Sequence, residues 1–189
     1  GVKVWDQPEP NVAIEALAFE RDWESIALLY EAKPDISATV CTDPELTQMA
    51  VSLALALRET GRTAEGERLL QCLRKILTEQ GRGEIRSPYL AFDWLNAVWA
   101  QVHAIEGDAN RAFSRMNRAV DSGARTPFGH RMSDLPAFDR FRAHPEYARL
   151  DAGLKQLMAE RPNNGMALAF GAGLAMEGVR FAWTEGDAG

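Results

Sequence analysis

The sequence predicts an all-α protein: an irregular array of helical hairpins, closed at its C-terminal end by a capping helix. Three observations predict it. Apolar residues recur at helical spacing through most of the chain. Tight turns interrupt that pattern at Arg21, Gly61 and Gly107, 40 and 46 residues apart. Each turn joins an apolar helix to a second one whose small residues face the first, which is how a helical repeat reads in sequence.

The first unit spans about residues 9–33. Val12–Phe19 leads into the turn Glu20-Arg21-Asp22, and Trp23, Ile26, Ala27 and Tyr30 then share a face until proline stops the helix at Lys33-Pro34. The second unit, about 43–79, starts well: Asp43 stands as a cap with Pro44 at the first helical position. Leu46, Met49, Ala50, Leu53 and Leu57 share one face. Thr60-Gly61-Arg62-Thr63 makes the turn, and Leu69, Leu70, Leu73, Ile76 and Leu77 form the second stripe.

The third unit, about 88–122, is the clearest. Trp99, Val102, His103 and Ile105 lead into Glu106-Gly107-Asp108, and Ala112, Phe113, Met116, Ala119 and Val120 follow at i, i+1, i+4, i+7 and i+8. Gly107 suits the left-handed end of one helix and Asp108 the cap of the next. Between units, Lys33–Asp43 and Gln80–Pro88 read as lengthened connections rich in Pro, Gly, Ser and charge. After a loop at Asp121–His130 comes a cap, about 134–160. It consists of a short helical turn at Leu135–Phe141 and a helix from about Pro145 to Glu160, with Tyr147, Leu150, Leu154, Leu157 and Met158 on its inner stripe.

The tail, 161–189, reads differently. Met166, Leu168, Phe170, Leu174 and Met176 alternate with Ala and Gly, and Val179, Phe181 and Trp183 alternate with Arg180, Ala182 and Thr184. That period of two suits a short β-hairpin or extended segment, while the Ala-rich first half also suits a helix.

Ala100-Gln101-Val102-His103-Ala104-Ile105-Glu106-Gly107-Asp108-Ala109-Asn110-Arg111-Ala112-Phe113 resembles a tetratricopeptide repeat, including the small residues where paired helices cross. Leu135-Pro136-Ala137-Phe138-Asp139-Arg140-Phe141-Arg142-Ala143-His144-Pro145-Glu146-Tyr147 is similar to a segment that closes such arrays in bacterial winged-helix regulators and adenylate-cyclase-type signalling proteins. The resemblance covers roughly residues 12–158, is good over Trp94–Leu157, and is poor in the first unit, where Arg21 stands at the usual turn glycine. The family's period is 34 residues, so the two joins are stretched by 6 and 12. The resemblance implies a right-handed stack of hairpins, a TPR-like solenoid, with a concave groove for a protein or peptide segment.

Composition narrows the partners. The net charge of −6 disfavours non-specific nucleic-acid binding and attraction to anionic membranes, both of which need clustered Lys and Arg. The longest apolar run, Met166–Met176, is shorter than the roughly 20 residues that span a bilayer. Gly1–Asp6 has no charged segment followed by an apolar one, so no secretory signal is expected there. The expected compartment is the cytoplasm, or the periplasm for a domain excised from a longer protein. Cys41 and Cys72 stand in different predicted elements without metal spacing, and are read as two buried apolar thiols.

No catalytic chemistry is expected. The histidines His103, His130 and His144 lack metal-ligand spacing, and neither a Gly-x-Ser-x-Gly elbow, a phosphate loop nor a dinucleotide fingerprint occurs. No cofactor is implied. Two features suit binding. The groove predicted by the resemblance would be lined by Gln48, Ser52, Leu55, Arg58 and Glu59 from the second unit and Trp94, Val98, Gln101 and Ile105 from the third. A basic stripe at Arg111, Arg115 and Arg118, followed by Arg125 and Arg131, would suit an acidic or phosphate-bearing partner, or lie on a solvated outer face. The expected function is protein–protein interaction without enzymatic activity. The alternative is a regulatory, sensor or dimerisation domain of a larger bacterial signalling protein, and a homodimer is compatible with either.

Overall fold

The computed structural model describes residues 10–33, 35–82, 92–121 and 132–160. The chain divides into two compact units, Gly1–Lys155 and Gln156–Gly189, and of the second only the last turn of a helix is described. The predicted tail, 161–189, and the arginines Arg125 and Arg131 lie outside the described residues.

The described chain is helical throughout. Its helices are α1 (Pro10–Glu20), α2 (Trp23–Ala32), α3 (Ile36–Val40), α4 (Thr47–Glu59), α5 (Thr63–Gly81), α6 (Phe92–Glu106), α7 (Ala109–Asp121) and α8 (Pro145–Glu160), with 3-10 turns at Pro44–Leu46, Met132–Asp134 and Pro136–Phe141. None of them is long and apolar enough to cross a membrane.

One turn is built three times. Arg21, Gly61 and Gly107 all adopt a left-handed backbone, with φ of 60°, 81° and 88°. In each, the turn residue's N–H bonds back three residues, to the carbonyls of Ala18, Arg58 and Ala104, and the next N–H bonds back five, to Leu17, Leu57 and His103. Those two bonds satisfy carbonyls that a helix end leaves without partners. Glycine takes this conformation without strain, whereas at Arg21 a side chain accepts it at a cost of about 1–2 kcal/mol. The helices that follow are capped by carboxylates where the sequence supplies them. Asp22 accepts from the Ser25 N–H at 3.1 Å, and Asp108 accepts from the Arg111 N–H at 3.0 Å.

Packing follows the same repetition. The first helix of each hairpin packs on its own second helix, α1 on α2, α4 on α5 and α6 on α7. Successive first helices also touch, α1 with α4 and α4 with α6, and the second helix of one hairpin packs on the first helix of the next, α2 on α4 and α5 on α6. Gly66 lets α5 come close to α4: a Cβ there would lie 2.9 Å from the Ala54 carbonyl oxygen. The amphipathic helices bury their predicted stripes, Leu69, Leu70, Leu73, Ile76 and Leu77 on α5 and Ala112, Phe113, Met116 and Ala119 on α7, where Val120 is half-buried.

Two features differ from expectation. The connection Lys33–Asp43 contains α3, which buries Ile36 and Val40 against the core, and Asp43 caps the 3-10 turn rather than α4 itself. The cysteines are not separate thiols. Because α3 folds back, Cys41 reaches Cys72 on α5, and the two form a disulfide with their Cα atoms 5.2 Å apart.

Candidate functional site

The face predicted to bind a partner is built from α4 and α6, and the structure encloses much of it. Ser52, Leu55, Val98, Gln101 and Ile105 are all buried. Gln48 and Arg58 are half-buried and Glu59 is exposed, so these three form an accessible rim. Trp94 stands in the first turn of α6, with its side chain outside the described set.

Gln48 and Gln101 are brought together. Each amide donates to the other's oxygen, at 3.2 and 3.1 Å, and this reciprocal pair ties α4 to α6. Arg58 is drawn sideways to the Glu67 carboxylate at 3.7 Å.

Enclosure has a visible cause in the contacts. The 3-10 turn Pro136–Phe141 packs on α6, α6 on α4, and α4 on α1. Arg21 then closes the circuit across 118 residues of sequence, donating to Asp139 at 2.9 and 3.0 Å and to the Ser133 carbonyl at 2.7 Å. Burial opposes ionisation of Asp139, but the hydrogen bonds from Arg21 and Arg142 outweigh it and hold the carboxyl below its usual range.

A further residue belongs to this face. Glu15 stands six positions before its left-handed turn residue, as do Leu55 and Gln101 before theirs, so the three occupy one row. Glu15 is only 8% exposed, and burial pushes its carboxyl up to about 8, leaving it mostly neutral at pH 7. A glutamate on an amphipathic helix reads as solvated; only the register of the turns places it beside two buried residues.

The three described arginines of the basic stripe stand in different surroundings. Arg111 is exposed and pairs with Asp108 at 3.4 Å. Arg115 turns inward, donates to Asn96 at 3.0 Å and places its guanidinium 5.7 Å from the Trp99 ring centre. Burial, and then the neighbouring Arg118, pull the Arg115 pKa down. Arg118 borders a depression of about 440 Å³ between α7 and the start of α8, whose floor is the His144 ring stacked on Phe113 at 4.4 Å.

His103 is a packing residue with a polar tether. Its ring stacks on Trp99 at 5.4 Å, and its Nδ1 lies 3.0 Å from the Glu106 carboxylate. Glu106 in turn accepts from Arg74 at 2.7 Å, joining α5 to α6. Among the described residues no group of three His, Cys, Asp or Glu side chains could hold a metal ion. No family model, curated protein or solved structure matches the chain.

Proposed function

We propose that the chain is a protein-interaction module of tetratricopeptide type, holding a segment of another protein against the face presented by α1, α4 and α6. The observation that carries this reading is the repeated turn. Three hairpins with the same left-handed residue and the same two hydrogen bonds present their first helices in register, as a repeat scaffold does for a guest. The packing of each first helix on the next, and on the preceding second helix, supports the same reading. A surface held rigid in this way lowers the ordering cost of binding.

A partner reaches this face without rearrangement at its rim, on Gln48, Arg58 and Glu59. Trp94 belongs to the same edge by register, since it and Gln48 both stand 13 residues before their turn glycines. The test compares wild type with a Trp94→Ala/Arg58→Ala variant, matched by circular dichroism, as baits in native lysate. One protein retained by wild type and lost by the variant, and cross-linked by a photoreactive residue at Glu59, is the expected result. Equal retention by both baits, or none by either, defeats the reading.

A further inference from the structure

We propose that the Cys41–Cys72 disulfide is a redox latch on the join between the first two hairpins, and that the chain matures where thiols are oxidised. The join is one of the two places where the array is stretched beyond a regular repeat. Its extra residues are not slack: they form α3, whose Ile36 and Val40 are buried on the core around α4. Cys41 ends α3, Cys72 lies midway along α5, and the bond spans 31 residues that include all of α4. That helix is the one on which α1, α2, α3, α5 and α6 all pack. Without the bond, α3 is a five-residue helix, too short to be stable by itself and anchored by Ile36 and Val40.

Both cysteines are half-buried, which leaves the bond within reach of thiol–disulfide exchange. On formation, the two thiols lose two protons and two electrons as the S–S bond is made. The electrons pass to the disulfide of oxidised glutathione or of a disulfide oxidase, which is left as two thiols. In a reducing cytosol the same exchange runs backwards, so the latched form belongs to an oxidising compartment. Oxidised, α3 is fastened to α5 and the angle between the first two hairpins is fixed; reduced, α3 is released and the join loosens.

The test uses the whole chain, equilibrated with oxidised glutathione and then alkylated under denaturing conditions. Intact mass should show no alkyl adduct before dithiothreitol and two after it. Reduction should lower the melting temperature by on the order of 10 °C, the loop-closure effect for a loop of this length in a domain of this size. It should also open a protease cut between residues 33 and 43, and neither change should occur in a Cys41→Ser/Cys72→Ser variant. Two adducts without reductant overturn the proposal. So does a melting temperature or cleavage pattern that reduction leaves unchanged, or an equal response in the double variant.

Discussion

Replacing Glu15 by Gln removes the one ionisable group on the inner row while keeping its size and shape. The wild-type carboxyl titrates near 8 in the folded chain against 4.5 when solvated, because burial disfavours its charge. A raised folded-state pKa means that Glu15's contribution to stability is fully present below about 4.5 and is lost as the pH rises through about 8. At about 1.4 kcal/mol for each pH unit between those values, the whole loss is roughly 5 kcal/mol, of which about 3 has accrued at pH 7. Glutamine cannot ionise, so the variant escapes that loss. Urea denaturation of both proteins from pH 4.5 to 9 reads it directly, and taking the difference between the two curves cancels every other titrating group. The curves should meet at the acid end and diverge steadily above pH 5, with the variant the more stable. Parallel curves, or a wild type that gains on the variant as the pH rises, would refute the burial argument.

Three other substitutions probe how the helices are held. Gly66→Ala puts a Cβ 2.8 Å from the Arg58 Cγ and 2.9 Å from the Ala54 carbonyl, and since backbone cannot yield without parting α4 from α5, a loss of about 1–3 kcal/mol in chemical denaturation is expected. Truncating Gln48 to Ala should cost about 1–3 kcal/mol by stranding the buried Gln101 amide, whereas changing both to Leu should cost far less, a contrast that thermal melts of the two variants would show. A double-mutant cycle on Arg21 and Asp139 should give a coupling of about 1 kcal/mol, as both side chains are partly exposed, and the coupling should vanish in acid as the depressed Asp139 carboxyl finally protonates.

Where a helix carries a single apolar stripe, it is legible in the sequence with its partner face. On α5 the predicted stripe is the buried one, and on α7 it is so except for the half-buried Val120 at its end. The turns are legible for a similar reason, since Gly61 and Gly107 are the residues that a left-handed helix end favours, and spacing alone singles out Arg21. On α4 the burial runs unbroken from Met49 to Leu57, and the sequence there is apolar or small on every side except at Ser52. That is the signature of a helix with neighbours all round, and it weakens any assignment of one open face. Two features depend on distance and could not be read locally. Cys41 lies in a connection whose fold-back into α3 has no strong periodic signal, and Arg21 meets Asp139 only after six intervening helices have been placed.

The same contacts govern how a partner could use the inner face. Its centre offers no charge: Glu15 is neutral near pH 7, and the Gln48 and Gln101 amides are spent on each other. Exposing that centre would mean breaking the Arg21–Asp139 closure and parting apolar side chains packed between α4 and α6. The ion pair is the smaller obstacle, at about 1 kcal/mol for a partly exposed pair, whereas each large apolar side chain returned to water costs about 1.5–3 kcal/mol. Opening is therefore resisted chiefly by packing, and salt alone should not release it. At the rim, which needs no such opening, Glu59 is exposed and Arg58 is already shared with Glu67. On the proposed reading, specificity by charge would rest on competition: an acidic side chain of a partner would have to displace Glu67 from Arg58, whereas a basic one would meet the exposed Glu59.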